Sequence, residues 1–243
     1  MKKILILQMR PETEVADAEF AAILKKADLD QENTKRVRVE QKNDIKIDLS
    51  EYCAVIAGGS PFDLSTPLKH KSDSQISVEK FFDSLLFEIY EKDFPFLGAC
   101  CGNGLLGKFC GVNISKKYAE AIGPIEVELT DAAAFDELLL DFPTRFKALV
   151  GHKEACDTLP SEATLLVTGE ACPVQMFRLK NNIYATQFHP EADEEQFCLR
   201  IDFYKDYGYF RPEESDELKS KLKGVSTPYS NLILKRFVEK YLK

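Results

Sequence analysis

The feature that most constrains this chain is a pair of adjacent cysteines between two glycines. The apolar run Phe94–Leu97 leads into Gly98–Gly102, which reads Gly-Ala-Cys-Cys-Gly, and an apolar, helix-like pattern continues to Phe109. Glycines that flank a nucleophilic side chain between a strand and a helix are typical of a nucleophile elbow, a turn too tight for larger side chains. Such a turn lifts Cys100 above the carboxyl edge of a sheet, where the N-terminus of the next helix favours the thiolate. The short motif also fits an ordinary junction with a buried cysteine.

A second segment offers a base for that cysteine. Residues Ile183–Glu191 read as a strand that ends in His189, Pro190 and Glu191. A cysteine nucleophile needs a base that takes its proton and a group that orients the base. His189 can be the base and Glu191 can hold its imidazole, while the fixed φ of Pro190 restricts their placement. The alternatives are a strand-end histidine and a solvated acid, but beside the elbow the catalytic interpretation is favoured.

Apolar runs alternate with amphipathic stretches in the first half of the chain. The pattern predicts strands at Ile4–Leu7, Arg36–Val39, Tyr52–Ala57 and Phe94–Leu97, and helices at Glu14–Lys26 and 76–91. Such alternation predicts a parallel sheet with helices on both faces, and ligands then bind beyond the carboxyl ends of the strands. The Gly58-Gly59 pair and Cys100 both follow strands at such ends.

The second half is richer in strands. We predict strands at Ile125–Leu129, Phe146–Val150, Thr164–Thr168, Val174–Leu179 and Ile183–Phe188, and helices at Glu194–Tyr207 and Tyr229–Leu242. The last two strands are expected to form a hairpin that delivers His189 to the site. Residues 60–75 form a long loop, either a lid or a plain surface loop. The whole chain, 1–243, is expected to be one domain with a helical tail at about 208–243.

Three segments together resemble the class I (triad-type) glutamine amidotransferases. Gly98–Gly102 resembles the Gly-x-Cys-x-Gly elbow of this family, and Gln187–Glu191 resembles its Gln-Phe-His-Pro-Glu motif. Val55–Pro61 is similar to the strand and glycine-rich loop that supply an oxyanion-hole amide in the family. Ala171–Phe177 further resembles a strand in relatives of the GMP synthetase glutaminase domain. The resemblance covers roughly residues 1–205. The chain also resembles stand-alone bacterial relatives of that glutaminase domain.

The resemblance implies a fold and a reaction. The fold is α/β, a flavodoxin-like three-layer sandwich with a central, mainly parallel sheet. Cys100, His189 and Glu191 would form a catalytic triad, and the backbone amides of Gly59 and Cys101 would hold the oxyanion. The reaction would hydrolyse the side-chain amide of glutamine through a γ-glutamyl thioester and release ammonia. No metal and no organic cofactor is required for this half-reaction.

Substrate contacts are expected at Gly58 and Gly104, and one of these positions departs from the family pattern. The family usually has a glutamine where this chain has Gly104, and that side chain helps to hold the substrate amide. Another group could replace it, the pocket could accept a donor larger than glutamine, or activity could depend on a partner. His152 is followed by an acidic residue at Glu154, and this pair matches a family segment at the mouth of the site. A polar loop contact is the simpler explanation of His152.

Three functions are compatible with these residues. In the first, the chain is a glutaminase that passes ammonia to a separate acceptor enzyme, since no phosphate-binding loop of a synthetase is present in it. In the second, it is a stand-alone hydrolase of γ-glutamyl peptides or amides. In the third, it binds a ligand or partner without turnover, and Gly104 is the only indication of this.

Composition excludes several other classes of protein. The formal charge is −8, with 32 basic and 40 acidic residues, and basic residues do not cluster, which disfavours nucleic-acid binding. Neither a membrane-spanning apolar run nor a signal-peptide pattern after Met1 is visible. Seven cysteines without disulfide-like spacing fit a reducing cytoplasm. The absence of Cys-x-x-Cys, with three histidines, argues against structural zinc. Redox chemistry at Cys100 and Cys101 is disfavoured, because adjacent residues form disulfides only with strain.

Overall fold

The structure, a computed structural model, describes residues 2–42 and 45–243. Met1, the first residue of the segment in which no signal-peptide pattern is predicted, lies outside the described residues. The strands are β1 (Lys3–Gln8), β2 (Thr34–Arg38), β3 (Tyr52–Ala57), β4 (Phe96–Ala99), β5 (Ile114–Ser115), β6 (Glu120–Leu129), β7 (Arg145–His152), β8 (Ala155–Cys156), β9 (Ala163–Gly169), β10 (Met176–Leu179) and β11 (Ile183–Thr186). The α-helices are α1 (Thr13–Ala27), α2 (Asp73–Lys92), α3 (Cys101–Phe109), α4 (Glu194–Phe203), α5 (Ser215–Leu222) and α6 (Pro228–Tyr241).

One sheet of nine strands carries the fold, in the order β2-β1-β3-β4-β11-β10-β9-β6-β7. The five strands from β2 to β11 are parallel to one another. The predicted hairpin is confirmed, because β10 pairs antiparallel with β11, and the remaining strands continue antiparallel. The mainly parallel α/β sheet predicted from the sequence is therefore confirmed, and its parallel part carries the elbow.

Helices cover both faces of the sheet. Strand β1 alternates strictly, so that Ile4 and Ile6 pack with α1 and α6, while Leu5 and Leu7 pack with α2 and α3. This alternation follows from the two-residue period of a strand. It produces the three layers that the resemblance implies. The longest described helix, α2, has 20 residues, and none of the helices in the described ranges is long and apolar enough to cross a membrane.

Several elements have other bounds in the structure than the sequence predicts. Helix α2 starts at Asp73 because the Ser72 side chain accepts a hydrogen bond from the Gln75 N–H at 3.1 Å. The predicted loop at 60–75 is correspondingly shorter. Helix α4 ends at Phe203 instead of Tyr207, and the tyrosines after it turn towards the carboxyl edge of the sheet. Helix α5 lies within the helical tail predicted at about 208–243, but its bounds were not predicted from the sequence.

Candidate active site

Cys100 occupies a strained turn between β4 and α3. Its φ of 52° and ψ of −99° lie in a region that side chains rarely adopt. A Cβ on Gly98 would lie 2.7 Å from the backbone C and O of Gly102, and a Cβ on Gly102 would lie 2.9 Å from the Ala57 oxygen. Both glycines are therefore required by the close approach of the backbone. The tight turn predicted from the glycine spacing is confirmed.

The protein surroundings keep the Cys100 thiol protonated in this state. Burial raises the pKa of Cys100 to about 11, although the charges of Arg10 and Arg200 act to lower it. Cys101 is the first residue of α3, and its N–H hydrogen-bonds the Cys100 thiol, which also lowers that pKa. The expectation that the helix N-terminus favours a thiolate is thus outweighed by burial. The thiol needs a base that removes its proton during attack.

His189 and Glu191 follow the end of β11, the strand next to β4, and their buried side chains are hydrogen-bonded to each other. His189 Nδ1 donates to Glu191 Oε1 at 2.7 Å, and Arg200 Nη2 donates to the same oxygen at 2.8 Å. Burial lowers the pKa of His189 from its ordinary value. Burial acts to raise the pKa of Glu191, but His189 and Arg200 overcome this effect and hold it well below its ordinary value. An ionised Glu191 fixes the proton on Nδ1 and leaves Nε2 free to accept one.

The sheet register brings Cys100 and His189 to the same edge. Ala99 of β4 lies opposite Thr186 of β11, so both side chains follow the ends of adjacent parallel strands. Cys100 and His189 line one cavity of about 20 Å³, which we call the His189 cavity. Within residues 2–42 and 45–243, no hydrogen bond joins Cys100 Sγ to His189. Catalytic contacts often tighten only when substrate is bound.

The glycine loop after β3 packs against a buried ion pair that sequence reasoning missed. A Cβ on Gly58 would lie 2.8 Å from Glu19 Oε2, and a Cβ on Gly59 would lie 2.6 Å from Arg10 Nη2 and 2.9 Å from His189 Cε1. Arg10 Nε donates to Glu19 at 2.6 Å. Arg10 follows β1 at the carboxyl edge, but a lone arginine in that position gives no sequence signal of burial.

The two glycines of this loop use their N–H groups differently. The Gly58 N–H donates to the Leu7 oxygen at 3.0 Å and continues the sheet ladder. Gly58 lines neither cavity beside Cys100, so its predicted substrate contact stays a prediction. The Gly59 N–H has no hydrogen-bond acceptor in the part of the chain that the structure describes. Like Gly58, Gly59 lines neither cavity, so its predicted oxyanion role stays a prediction.

Gly104 faces a second small cavity, which Leu64 narrows. This cavity of about 30 Å³ lies on the other side of Cys100, is lined also by Lys153 and Tyr209, and is called the Gly104 cavity below. A Cβ on Gly104 would lie 2.8 Å from Leu64 Cδ1, and Leu64 is buried. A side chain at position 104 would therefore require the end of the Leu64 side chain to shift. Whether Gly104 leaves room for a larger donor stays a prediction.

Introducing the family's glutamine should therefore conflict with Leu64. Gly104→Gln alone is expected to lower the free energy of unfolding by about 1–3 kcal/mol through overpacking. Leu64→Ala should relieve the conflict, so the double variant should be more stable than the sum of the single effects by about 1 kcal/mol. Urea unfolding of the four proteins in a double-mutant cycle measures this coupling. Additive effects would show that Leu64 does not fill the space.

A separate buried group has the chemistry of a metal site. Ligand atoms of Glu120, His152 and Cys172 lie within 4.8 Å of one another. The Glu120 carboxylate is already hydrogen-bonded to His152 Nε2 at 2.8 Å and accepts from Gln175 Nε2 at 2.6 Å. His152 Nδ1 lies 3.0 Å from the Glu154 oxygen. His152 is the last residue of β7, not a loop residue, and it also lines the Gly104 cavity beside Cys100. Its role and the expected absence of a metal stay predictions.

Comparison with known proteins identifies the family. The model of the class-I glutamine amidotransferase family matches residues 26–203. The chain belongs to this family. A glutamine-hydrolyzing GMP synthase subunit from Methanothermobacter thermautotrophicus is 31% identical over 114 residues, 46% of this chain and 60% of the relative. The glutamine-hydrolyzing GMP synthase of Aeropyrum pernix is 34% identical over 107 residues, 44% of this chain and 20% of the relative. The matches thus span only part of the length of these relatives.

Solved structures agree on the fold of this amidotransferase. A glutamine amidotransferase from Thermotoga maritima superposes with a TM-score of 0.77 at 22% identity over 100% of both chains. A glutamine amidotransferase from Methylobacillus flagellatus gives a TM-score of 0.70 at 14% identity over 99% of this chain and 96% of that chain. The flavodoxin-like fold implied by the resemblance is confirmed.

Proposed function

We propose that the chain hydrolyses the side-chain amide of glutamine and passes ammonia to a separate acceptor enzyme. The observation that carries this proposal is the strained Cys100, which opens onto a cavity shared with the buried His189–Glu191 pair. A nucleophile, a base and an orienting carboxylate at one strand edge match the requirements of acyl transfer. The relatives that are themselves named as single subunits of GMP synthase support glutamine as the substrate and a synthetase as the partner.

The proposed reaction starts from a neutral thiol and a neutral imidazole. His189 Nε2 takes the thiol proton while Cys100 Sγ attacks the carboxamide carbon, and the N–H groups of Gly59 and Cys101 receive the oxyanion. His189 then returns the proton to the departing nitrogen, which leaves as ammonia, and a γ-glutamyl thioester remains on Cys100. Water attacks this thioester with His189 as the base, and glutamate is released. Glu191 stabilises the imidazolium in both steps.

The net charge and the free cysteines support a proposal about partners and cellular compartment. A formal charge of −8 disfavours a nucleic-acid partner. Seven free cysteines are compatible with a reducing compartment, and we place the chain in the cytoplasm. The half-reaction needs no metal and no organic cofactor, since protein groups supply the nucleophile, the base and the oxyanion donors.

Trapping of the acyl-enzyme tests the proposal directly. The purified chain is incubated with glutamine and hydroxylamine, alone and with the partner synthetase. We expect glutamate without hydroxylamine and γ-glutamyl hydroxamate with it, because the amine competes with water for the thioester. Hydroxamate from larger γ-glutamyl amides but not from glutamine would favour a stand-alone γ-glutamyl hydrolase. Neither product under any condition would contradict enzymatic function and favour a binding protein.

A further inference from the structure

Tyr209 lies between the two cavities beside Cys100. It lines the Gly104 cavity and the His189 cavity, which otherwise share only Ser60 and Cys100 among their lining residues. A side chain in this position divides one cleft into two parts. The part with Gly104 faces the donor side of the thiol, and the part with His189 faces the side from which the leaving nitrogen must receive its proton.

Contacts from three directions hold the Tyr209 ring in place. Its hydroxyl donates to the Ser60 oxygen at 3.3 Å, and its ring stacks on Tyr204 with centroids 5.9 Å apart. Lys153 Nζ lies 4.7 Å from the ring centroid and also donates to the Tyr207 oxygen at 2.9 Å. The ring is thus positioned by neighbours on both sides of the cleft.

The His189 cavity is small, but it is large enough for a water-sized molecule. A cavity holds a water when about 10–15 Å³ is open to it, and this cavity measures about 20 Å³. Arg10, Ile122 and Phe197 form its other walls. Ammonia has the size of water, so it fits as a leaving group, and a water fits as the second nucleophile. Tyr209 forms one wall of this small cavity, so a smaller residue at position 209 would leave more space for a substituted amine.

Binding of glutamine requires side chains that line these cavities to move, and Tyr209 follows a glycine. The Gly104 cavity of about 30 Å³ holds about two waters, which is less than an amino acid needs. Gly208 has a φ of 75°, and no atom lies within 4 Å of a Cβ placed there. The residue before Tyr209 therefore has both the backbone freedom and the open surroundings of a hinge. The family match ends at residue 203, so this segment lies outside the part shared with the family model.

We propose that Tyr209 is a specificity-determining residue that restricts the leaving group to ammonia and thereby selects glutamine over N-substituted γ-glutamyl amides. The inference rests on the proposed amide hydrolysis and narrows its substrate. Closing of Tyr209 over the bound donor would place the departing amine in the His189 cavity.

The kinetic test compares glutamine with γ-glutamyl methylamide. Tyr209→Ala should raise the ratio of kcat/KM for the methylamide over that for glutamine by about tenfold or more, the discrimination that one methylene can give. Tyr209→Phe keeps the ring and should leave the ratio near that of the native chain. Tyr229→Ala, on α6, is the matched control and should not change it. An unchanged ratio in Tyr209→Ala, with glutamine still hydrolysed, would overturn the inference and leave the proposed function intact.

A second readout does not depend on turnover. Alkylation of Cys100 by iodoacetamide and by its larger N-benzyl derivative is followed by peptide mapping. Tyr209→Ala should raise the ratio of the alkylation rate with the larger reagent to that with the smaller one by about tenfold. Tyr209→Phe and Tyr229→Ala should leave this ratio unchanged. If all variants alkylate with the same size dependence, Tyr209 does not gate the site. If the native chain does not hydrolyse any of the amides, that result would instead contradict the proposed function.

Discussion

Replacing Cys100 by alanine is expected to lower kcat for glutamate release by on the order of 10⁶, as removal of a triad nucleophile does in other enzymes. Among the described cysteines, Cys100 alone lines both cavities beside the glycine loop, whereas Cys101 lines only the Gly104 cavity. Labelling by a glutamine-like electrophile should disappear in the same variant. Glutamate release and a peptide map of the labelled protein measure the two effects.

Cys101→Ala is the matched control for this prediction. Cys101 is the neighbouring cysteine, but its side chain packs in the hydrophobic core with α2. Burial raises the pKa of Cys101 well above its ordinary value, so it is a poor nucleophile. The backbone N–H that contacts Cys100 survives the substitution. We therefore expect most of the activity and the full label in Cys101→Ala, and a label found on Cys101 would overturn the mechanism.

The fold could be predicted from the sequence because its signals are local. Strand β1 reads as an apolar run, and Gly98 and Gly102 mark the elbow because close backbone contacts exclude a Cβ there. His189 and Glu191 are two residues apart, and their hydrogen bond follows from that spacing. These features depend on neighbours along the chain or on the order of parallel strands.

The surroundings of the site could not be predicted, because they depend on contacts between distant segments. Arg10 donates to Tyr204, which is 194 positions further along the chain. Leu64 reaches the wall at Gly104 from a loop for which the sequence gives no orientation. The helix predicted to continue to Tyr207 ends earlier, since Tyr204 turns inward to this arginine. Helical propensity gives no indication of such a tertiary contact.

His189→Ala should lower kcat by about as much as the loss of the nucleophile, because triad members act as a unit. Glu191→Gln should cost less, on the order of 10⁴, since Glu191 orients the imidazole without exchanging the proton. His70→Ala is the matched control and should retain turnover, because His70 is exposed and lines neither cavity beside Cys100. Near-native turnover in His189→Ala would require another base, and His152 would be the first candidate.

The pH profile separates the role of His189 from a merely structural one. The reactive form has a neutral imidazole, and burial lowers the pKa of His189 below its ordinary value. The acid limb of kcat/KM should therefore lie below about pH 6.5, with loss of activity as pH falls through the pKa of His189. The pKa of Cys100 is about 11, so the plateau should extend beyond about pH 9 without an alkaline limb from the thiol. Glu191 raises the pKa of His189, so Glu191→Gln should move the acid limb to still lower pH. A limb that stays in place in this variant would show that another group titrates.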